Sequence, residues 1–252
     1  MKTILIVGGN GFIGKNIIER CIQLDYKIYS ISINNKKERI NHPSIFYDFL
    51  DTSNNDQIKE YFKDKYFDYI INLSGYVNHN SLKNNGIEVY HKHINSLLNL
   101  VGNSLDKPPK RFIHIGSSDE YGDSPAPQSE DMREAPISPY SLAKVAGTHY
   151  SRLVFLSNQY PICVLRPFLI YGPWQSSNRL IPYVIKSCLK NEKFQISSGE
   201  QIRDFLFVED FIEAIFMVLG SDICNGKVLN IGSGKGRSVR STVELIIDKI
   251  GT

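Results

Sequence analysis

Residues 3–14 read TILIVGGNGFIG, an apolar run followed by four glycines within seven positions, and this stretch constrains the fold more than any other. Ile4, Leu5, Ile6 and Val7 are continuously aliphatic, the pattern of a strand buried on both faces of a parallel sheet. Beyond the glycines, Ile13, Ile17, Ile18, Cys21 and Ile22 recur at helical spacing. Strand, glycine turn and helix in that order aim backbone N–H groups and a helix N-terminus at an anion, usually a phosphate.

The glycines fit two dinucleotide fingerprints, Gly9-x-Gly11-x-x-Gly14 and Gly8-x-x-Gly11-x-x-Gly14. In both, glycine lets the backbone approach a pyrophosphate and lets helix pack on strand. Gly9-x-x-x-x-Gly14-Lys15 also comes close to a P-loop, but Asn16 stands where a Ser or Thr hydroxyl should hold magnesium. A tight turn with no ligand is the plain structural alternative. A carboxylate ending the second strand would bind the adenosine ribose of NAD. Here that region is Ser30-Ile31-Ser32-Ile33-Asn34, with Lys36, Lys37 and Arg39 close behind. That charge pattern favours the 2′-phosphate of NADP over NAD, the alternative being a solvated basic loop. Asp48, ending the third strand, is placed either to accept from an adenine amino group or to cap its turn.

Further along, the patterns predict strands over 27–33, 44–47, 67–73, 111–115, 162–166, 205–208 and 227–231. Helices are predicted over 55–65, 87–105, 140–159, 180–189, 210–219 and 238–250, and residues 118–139 read as a long loop rich in Pro, Ser, Asp and Glu. The alternation argues an α/β fold with a doubly wound parallel sheet. Its 252 residues suit one large domain with a smaller lobe. The expected division is a nucleotide-binding domain over 1–165, to which 204–230 returns, and a small C-terminal substrate-binding lobe from 166–203 and 231–252. A net charge of +3 without a basic run argues against a nucleic-acid partner. Cys21, Cys163, Cys188 and Cys224 are far apart with no CxxC, which suits free thiols in a reducing compartment and no metal site. No apolar stretch is long enough to span a bilayer and Met1-Lys2 leads directly into the first strand, so the expectation is a cytoplasmic protein without a leader or membrane partner.

Tyr140 and Lys144 lie four apart on a predicted helix and share a face. Ser117 lies just past the strand at 111–115, at the sheet edge where such folds bind ligands. A phenol with pKa near 10 is a poor proton carrier at neutral pH, a nearby ammonium favours its phenolate, and a serine hydroxyl can hold the reacting oxygen. Singly, each residue has an ordinary structural role: packing aromatic, solvated charge, turn cap. Behind a glycine fingerprint, the three make a chemical set.

With these residues in view, the sequence resembles the extended short-chain dehydrogenases/reductases of the nucleotide-sugar epimerase/dehydratase group. The carrying segments are GGNGFIG at 8–14, GSSDEYG at 116–122, SPYSLAK at 138–144, RPFLIYGP at 166–173 and RDFLFVED at 203–210, in family order over nearly the whole chain. The resemblance implies a Rossmann-type sheet and a catalytic Ser117, Tyr140 and Lys144, with Ser117 selected by its distance from Tyr121-Gly122 and Ser118 as the fallback. It implies NAD(P), of which the charge pattern favours NADP with NAD as the alternative, bound by Gly8, Gly11, Phe12, Ile13, Gly14, Ser32, Lys36, Asp48, Phe49, Leu73, Ser74, Gly75, Asn95, Tyr140, Lys144 and Pro167. It assigns Ser118, Asp119, Arg179 and Arg203 to a nucleotide-diphosphate sugar, and it implies a homodimer paired through the helices at 87–105 and 140–159. Two positions depart from the family pattern: Val7 replaces a usual Thr, and Leu169 replaces an Asn that touches the sugar nucleotide in many epimerases. Relatives also usually continue beyond Thr252, so the expected lobe is incomplete.

Three reactions fit the resemblance: C4 epimerisation, 4,6-dehydration and reduction of a 4-keto sugar. Asp119 and Glu120 are candidates for the acid–base pair of a dehydratase. The GSSDEYG form, the short segment between Lys144 and Arg203 and the NADP-like charge pattern favour a reductase of an NDP-4-keto-6-deoxy sugar in deoxysugar biosynthesis, with Tyr140 protonating the forming alkoxide. A non-catalytic NADP-binding sensor is the reading from another class, against which the retained Tyr140 and Lys144 both count.

Overall fold

The computed structural model describes residues 1–33, 38–75 and 81–251. Its elements run β1 (Thr3–Val7), α1 (Phe12–Gln23), β2 (Lys27–Ser32), β3 (Ile45–Phe49), α2 (Asn55–Phe62), β4 (Tyr69–Asn72), α3 (Ile87–Gly102), β5 (Arg111–Ile115), α4 (Pro139–Asn158), β6 (Ile162–Pro167) and β7 (Leu169–Tyr171). They continue with α5 (Leu180–Leu189), β8 (Ile202–Phe207), α6 (Val208–Leu219), β9 (Val228–Ile231), β10 (Gly236–Ser238) and α7 (Val239–Ile250).

Seven strands pair in the order β3-β2-β1-β4-β5-β6-β9, every neighbour parallel, as expected of a doubly wound sheet. Strand alternation sends Ile4 and Ile6 to one face, where they meet Ile17, Ile18 and Cys21 of α1 and Phe211 and Ile215 of α6. Leu5 and Val7 face the other way, toward Ile58 of α2, Leu97 and Leu100 of α3 and Val154 of α4. Helices therefore cover both faces, which is why the central strands read as largely apolar runs. The chain reverses its direction of winding between β1 and β4, and ligands bind such sheets at the carboxyl ends of the strands beside that switch.

The smaller lobe has its own sheet, β10-β8-β7, and its own core, where Val184 and Cys188 of α5 meet Val239 and Val243 of α7. Residues 202–207 belong to this sheet, and the chain rejoins the main layers at α6, which packs on α1. The three-residue strand β7 lies outside every strand predicted from the sequence, and 118–121 form one 3-10 turn inside the expected loop. The segment after β7 is fastened to α1. Asn16 Nδ2 donates to the Pro173 carbonyl at 3.1 Å, Trp174 Nε1 donates to Glu19 Oε1 at 3.1 Å, and Lys15 Nζ lies 4.1 Å from the Trp174 ring centroid. Trp174 has φ +70°, a left-handed conformation that a bulky side chain rarely takes and that these three contacts hold in place. Among the described residues no helix is long and apolar enough to cross a membrane.

Candidate active site

The glycine turn is built to let backbone come close. Gly8 has φ +88° and donates its N–H to the Ile31 carbonyl at 2.7 Å, bending the chain off β1. A Cβ on Gly14 would lie 2.5 Å from both the Gly8 carbonyl and the Gly9 Cα, so only glycine lets α1 sit this close to the strand. Gly11 differs: a Cβ there would meet only the Gly8 carbonyl, at 3.2 Å. Gly11 is also the N-cap of α1, with no side-chain cap bond, so the first-turn N–H groups, those of Phe12, Ile13 and Gly14 among them, face outward without a helical carbonyl to meet them. A turn that is tight underneath and open above fits a dinucleotide pyrophosphate.

Of the other expected cofactor residues, Leu73 and Ser32 are seen beside the turn. Leu73, Ser74 and Gly75 follow β4; the Leu73 backbone touches the Gly8 position, and Ser74 accepts from Ser96 Oγ at 2.8 Å. Ser32, ending β2, accepts from the Asn10 N–H at 3.3 Å. Asp48, on β3, accepts from the Tyr61 hydroxyl at 2.9 Å, so its carboxylate braces α2. Phe49 lies under the Arg39 guanidinium, 4.5 Å from its ring centroid. Pro167 is buried at the end of β6. Lys36 and Lys37 lie outside the described residues.

Ser117, Tyr140 and Lys144 converge. Ser117 follows β5 and caps the 3-10 turn, its Oγ accepting from the Asp119 N–H at 3.1 Å. Ser138 caps α4 and Pro139 opens it, which fixes the register of Tyr140 and Lys144 on the inward face. The Ser117 side chain lies near enough to the Tyr140 hydroxyl to act on its ionisation. Lys144 Nζ donates to the Ile115 carbonyl at 2.7 Å and lies 5.7 Å from the Tyr140 ring centroid. All three residues are buried. Burial pushes Tyr140 up to about 12, the Ser117 side chain opposing and the charges of Asp119 and Glu120 adding to it. Burial likewise lowers Lys144 to about 8, against Glu120 and Asp119. The expected lowering of the tyrosine by an ammonium at Lys144 is not seen: burial dominates, and the cation that opposes it is Arg179.

Two expected residues are placed differently. Asn95 is exposed on α3, and the residue of that helix that reaches Tyr140 is His93, edge-on with ring centroids 5.4 Å apart. Two positions turn a helix by about 200°, so the two residues point to opposite sides. Glu120 is no free acid or base: it is fully buried, paired with Arg166 at 2.8 Å and bonded to Thr148 Oγ1 at 2.8 Å. Buried His114 also goes unmentioned in the motifs; burial, then the charges of Lys144 and His93, hold it well below its usual 6.5, and it meets Asn72 at 3.3 Å.

The expected substrate residues divide. Ser118 and Asp119 lie half-buried in the 3-10 turn beside Ser117, and the Arg179 side chain, at the N-cap of α5, is near enough for its charge to act on Tyr140. Arg203 is exposed on β8 and donates to the Ile202 carbonyl at 2.8 Å. Leu169 is 44% exposed at the start of β7.

Residues 4–232 match the model of the NAD dependent epimerase/dehydratase family. An uncharacterized UDP-glucose epimerase of Bacillus subtilis, YtcB, is 31% identical over 186 residues, 73% of this chain and 59% of that protein. The dTDP-glucose 4,6-dehydratase of Haemophilus influenzae is 27% identical over 98% of this chain and 78% of its own length. In the crystal structure of the dTDP-glucose 4,6-dehydratase of Bacillus anthracis in complex with NAD, 82% of that chain superposes on all of this one with a TM-score of 0.89 at 25% identity.

Proposed function

This chain belongs to the NAD dependent epimerase/dehydratase family, and on that premise we propose that it is a nucleotide-sugar 4-epimerase. The observation that carries the choice within the family is Glu120. Its carboxylate is committed to Arg166 and Thr148, so the Asp119–Glu120 pair suited to dehydration is not formed, while the Ser117–Tyr140–Lys144 set is complete. Epimerisation needs only that set. The same commitment turns GSSDEYG, which in sequence favours a 4-keto reductase, into a structural feature of the site wall.

In this reading NAD, when bound, supplies a hydride acceptor and donor at the sugar carbon. Tyr140 Oη takes the proton from the C4 hydroxyl and returns it once the sugar has presented its other face. Ser117 Oγ holds that same oxygen. Lys144, buried beside Tyr140, lowers the cost of the phenolate once it forms. Arg179 and Arg203 are assigned to the diphosphate, to which a guanidinium fork is suited. We assign NAD ahead of NADP. Arg39 is engaged over Phe49 and Tyr47, and the Bacillus anthracis relative holds NAD. A division into a nucleotide-binding domain and a smaller substrate lobe goes with this assignment, with the expected return to the first domain moved from 204 to 208 because β8 pairs in the lobe's sheet. So does a homodimer: α3 and α4 leave Leu98, Leu142, Leu153 and Leu156 exposed, and sedimentation giving a monomer removes it.

The test is product identification by NMR after incubation with NAD and a panel of UDP- and dTDP-hexoses. Inversion at C4 with no net change in nicotinamide absorbance is the expected result. A 4-keto-6-deoxy product makes the protein a dehydratase, and NADPH consumption with a keto sugar makes it a reductase.

A further inference from the structure

Ser117 comes from the end of β5, and Tyr140 and Lys144 come from α4, with a long loop between them. Glu120 is bonded to both sides of that gap. Its Oε1 accepts from the Ser117 N–H at 2.9 Å, and its Oε2 accepts from Thr148 Oγ1 at 2.8 Å. Thr148 sits one helical turn beyond Lys144, on the same face of α4. Behind the carboxylate, Arg166 of β6 donates Nε to Oε2 at 2.9 Å, Nη2 to Glu134 at 2.6 Å and Nη1 to the Tyr121 hydroxyl at 2.9 Å. Tyr121 donates in turn to Asn230 of β9 at 2.8 Å. Glu120 is 0% exposed and Arg166 1%. Gly116 is fitted to the carboxylate, since a Cβ there would lie 2.5 Å from Glu120 Oε1.

A buried ion pair is a poor way to stabilise a fold, because desolvating two charges cancels much of their attraction. What this one supplies is geometry. Every bond of the carboxylate fixes either the Ser117 backbone, α4, or the arginine that holds the carboxylate still.

We propose that Glu120, backed by Arg166, is a positioning residue that sets Ser117 against the Tyr140–Lys144 face of α4. This rests on the reading of Ser117, Tyr140 and Lys144 as the reacting set. The charge of Glu120 also acts on both Tyr140 and Lys144, raising their affinity for protons, so it lies within electrostatic reach of the groups it positions.

Two variants of the full-length protein test it. Glu120→Gln leaves Arg166 paired with Glu134, and Thr148→Val removes the link to α4 with no change of charge or volume. Each is followed by circular dichroism, by kcat and KM on a nucleotide sugar that the wild type converts, and by the Lys144 ionisation read from 13Cε lysine NMR. The expectation is a fall in kcat of about tenfold or more for Glu120→Gln and several-fold for Thr148→Val, with KM within about twofold. In Thr148→Val the Lys144 midpoint moves by about half a pH unit, because with charges unchanged it moves only if α4 shifts against Glu120. Unchanged kcat and an unchanged Lys144 midpoint in Thr148→Val overturn the proposal, whatever happens to melting temperature. Should Glu120→Gln fail to fold, Thr148→Val decides alone. Should the wild type convert no nucleotide sugar, the proposed function fails by itself, and the Lys144 titration in Thr148→Val still decides this proposal.

Discussion

His93 meets Tyr140 edge-on, with ring centroids 5.4 Å apart and ring planes at 83°. Gly75 has φ +97°, and a Cβ on it would fall inside the His93 imidazole. Gly75→Ala is therefore expected to displace His93, disturb Tyr140 and destabilise the protein by about 2–4 kcal/mol. The double variant Gly75→Ala/His93→Ala should be more stable than Gly75→Ala alone, since the clash is gone. Urea unfolding of the four proteins checks this, and strict additivity of the two single changes would defeat it.

Lys144 should make the protein less stable at neutral pH. Its folded pKa is lowered from the usual 10.5 to about 8, so between these values the unfolded chain binds more protons and stability rises with pH. Below about pH 8 the whole penalty is present. Lys144→Met removes it but also removes the bond to the Ile115 carbonyl. The net expectation at pH 7 is a gain of about 2 kcal/mol, or about 5 °C in melting temperature. That gain shrinks by pH 10, and activity is lost. Thermal melts of both proteins at the two pH values measure it.

The two ends of the glycine turn should respond oppositely. Gly11→Val adds a side chain where only one carbonyl is near, so folding should be within about 1 kcal/mol of wild type. The same side chain occupies the approach to the first turn of α1, and NAD affinity should fall about 100-fold or more. Gly14→Ala drives a methyl into the Gly8 and Gly9 backbone and should cost about 2 kcal/mol or more of stability. Calorimetric NAD titration and denaturant melts separate the two effects.

Tyr140→Phe keeps the ring that packs against His93 and removes the hydroxyl beside Ser117. Its kcat should drop by about 10²–10⁴, with NAD affinity within about threefold and stability within about 1 kcal/mol. A variant retaining a tenth of wild-type turnover would remove Tyr140 from proton transfer.

The main sheet is open to reading because burial on both faces leaves largely apolar runs at β1, β4, β5 and β6, each closed within two residues by glycine, serine or proline. Ser117, Tyr140 and Lys144 were equally open, since helical spacing and strand ends place them without knowledge of any contact. His93 was harder. Its signal is the buried stripe Val89, His93, Leu97 and Leu100, in which Asn95 has no place. Glu120 was misread as a candidate acid or base because its partner, Arg166, lies 46 positions away, and no local pattern joins them. β7 escaped notice because three residues paired on one side carry no period long enough to detect.

The clasp of Pro173 and Trp174 on Asn16, Lys15 and Glu19 bears on how such a protein can be rebuilt. The residues that shape the glycine turn and those that anchor the smaller lobe share one seam, although some 150 positions separate them. A graft that exchanges residues 8–19 to alter cofactor preference also withdraws the footing of the loop that leads to Arg179. The glycine turn and the smaller lobe are therefore not independent modules in this chain, and a chimera must carry residues 172–175 along with the turn they rest on.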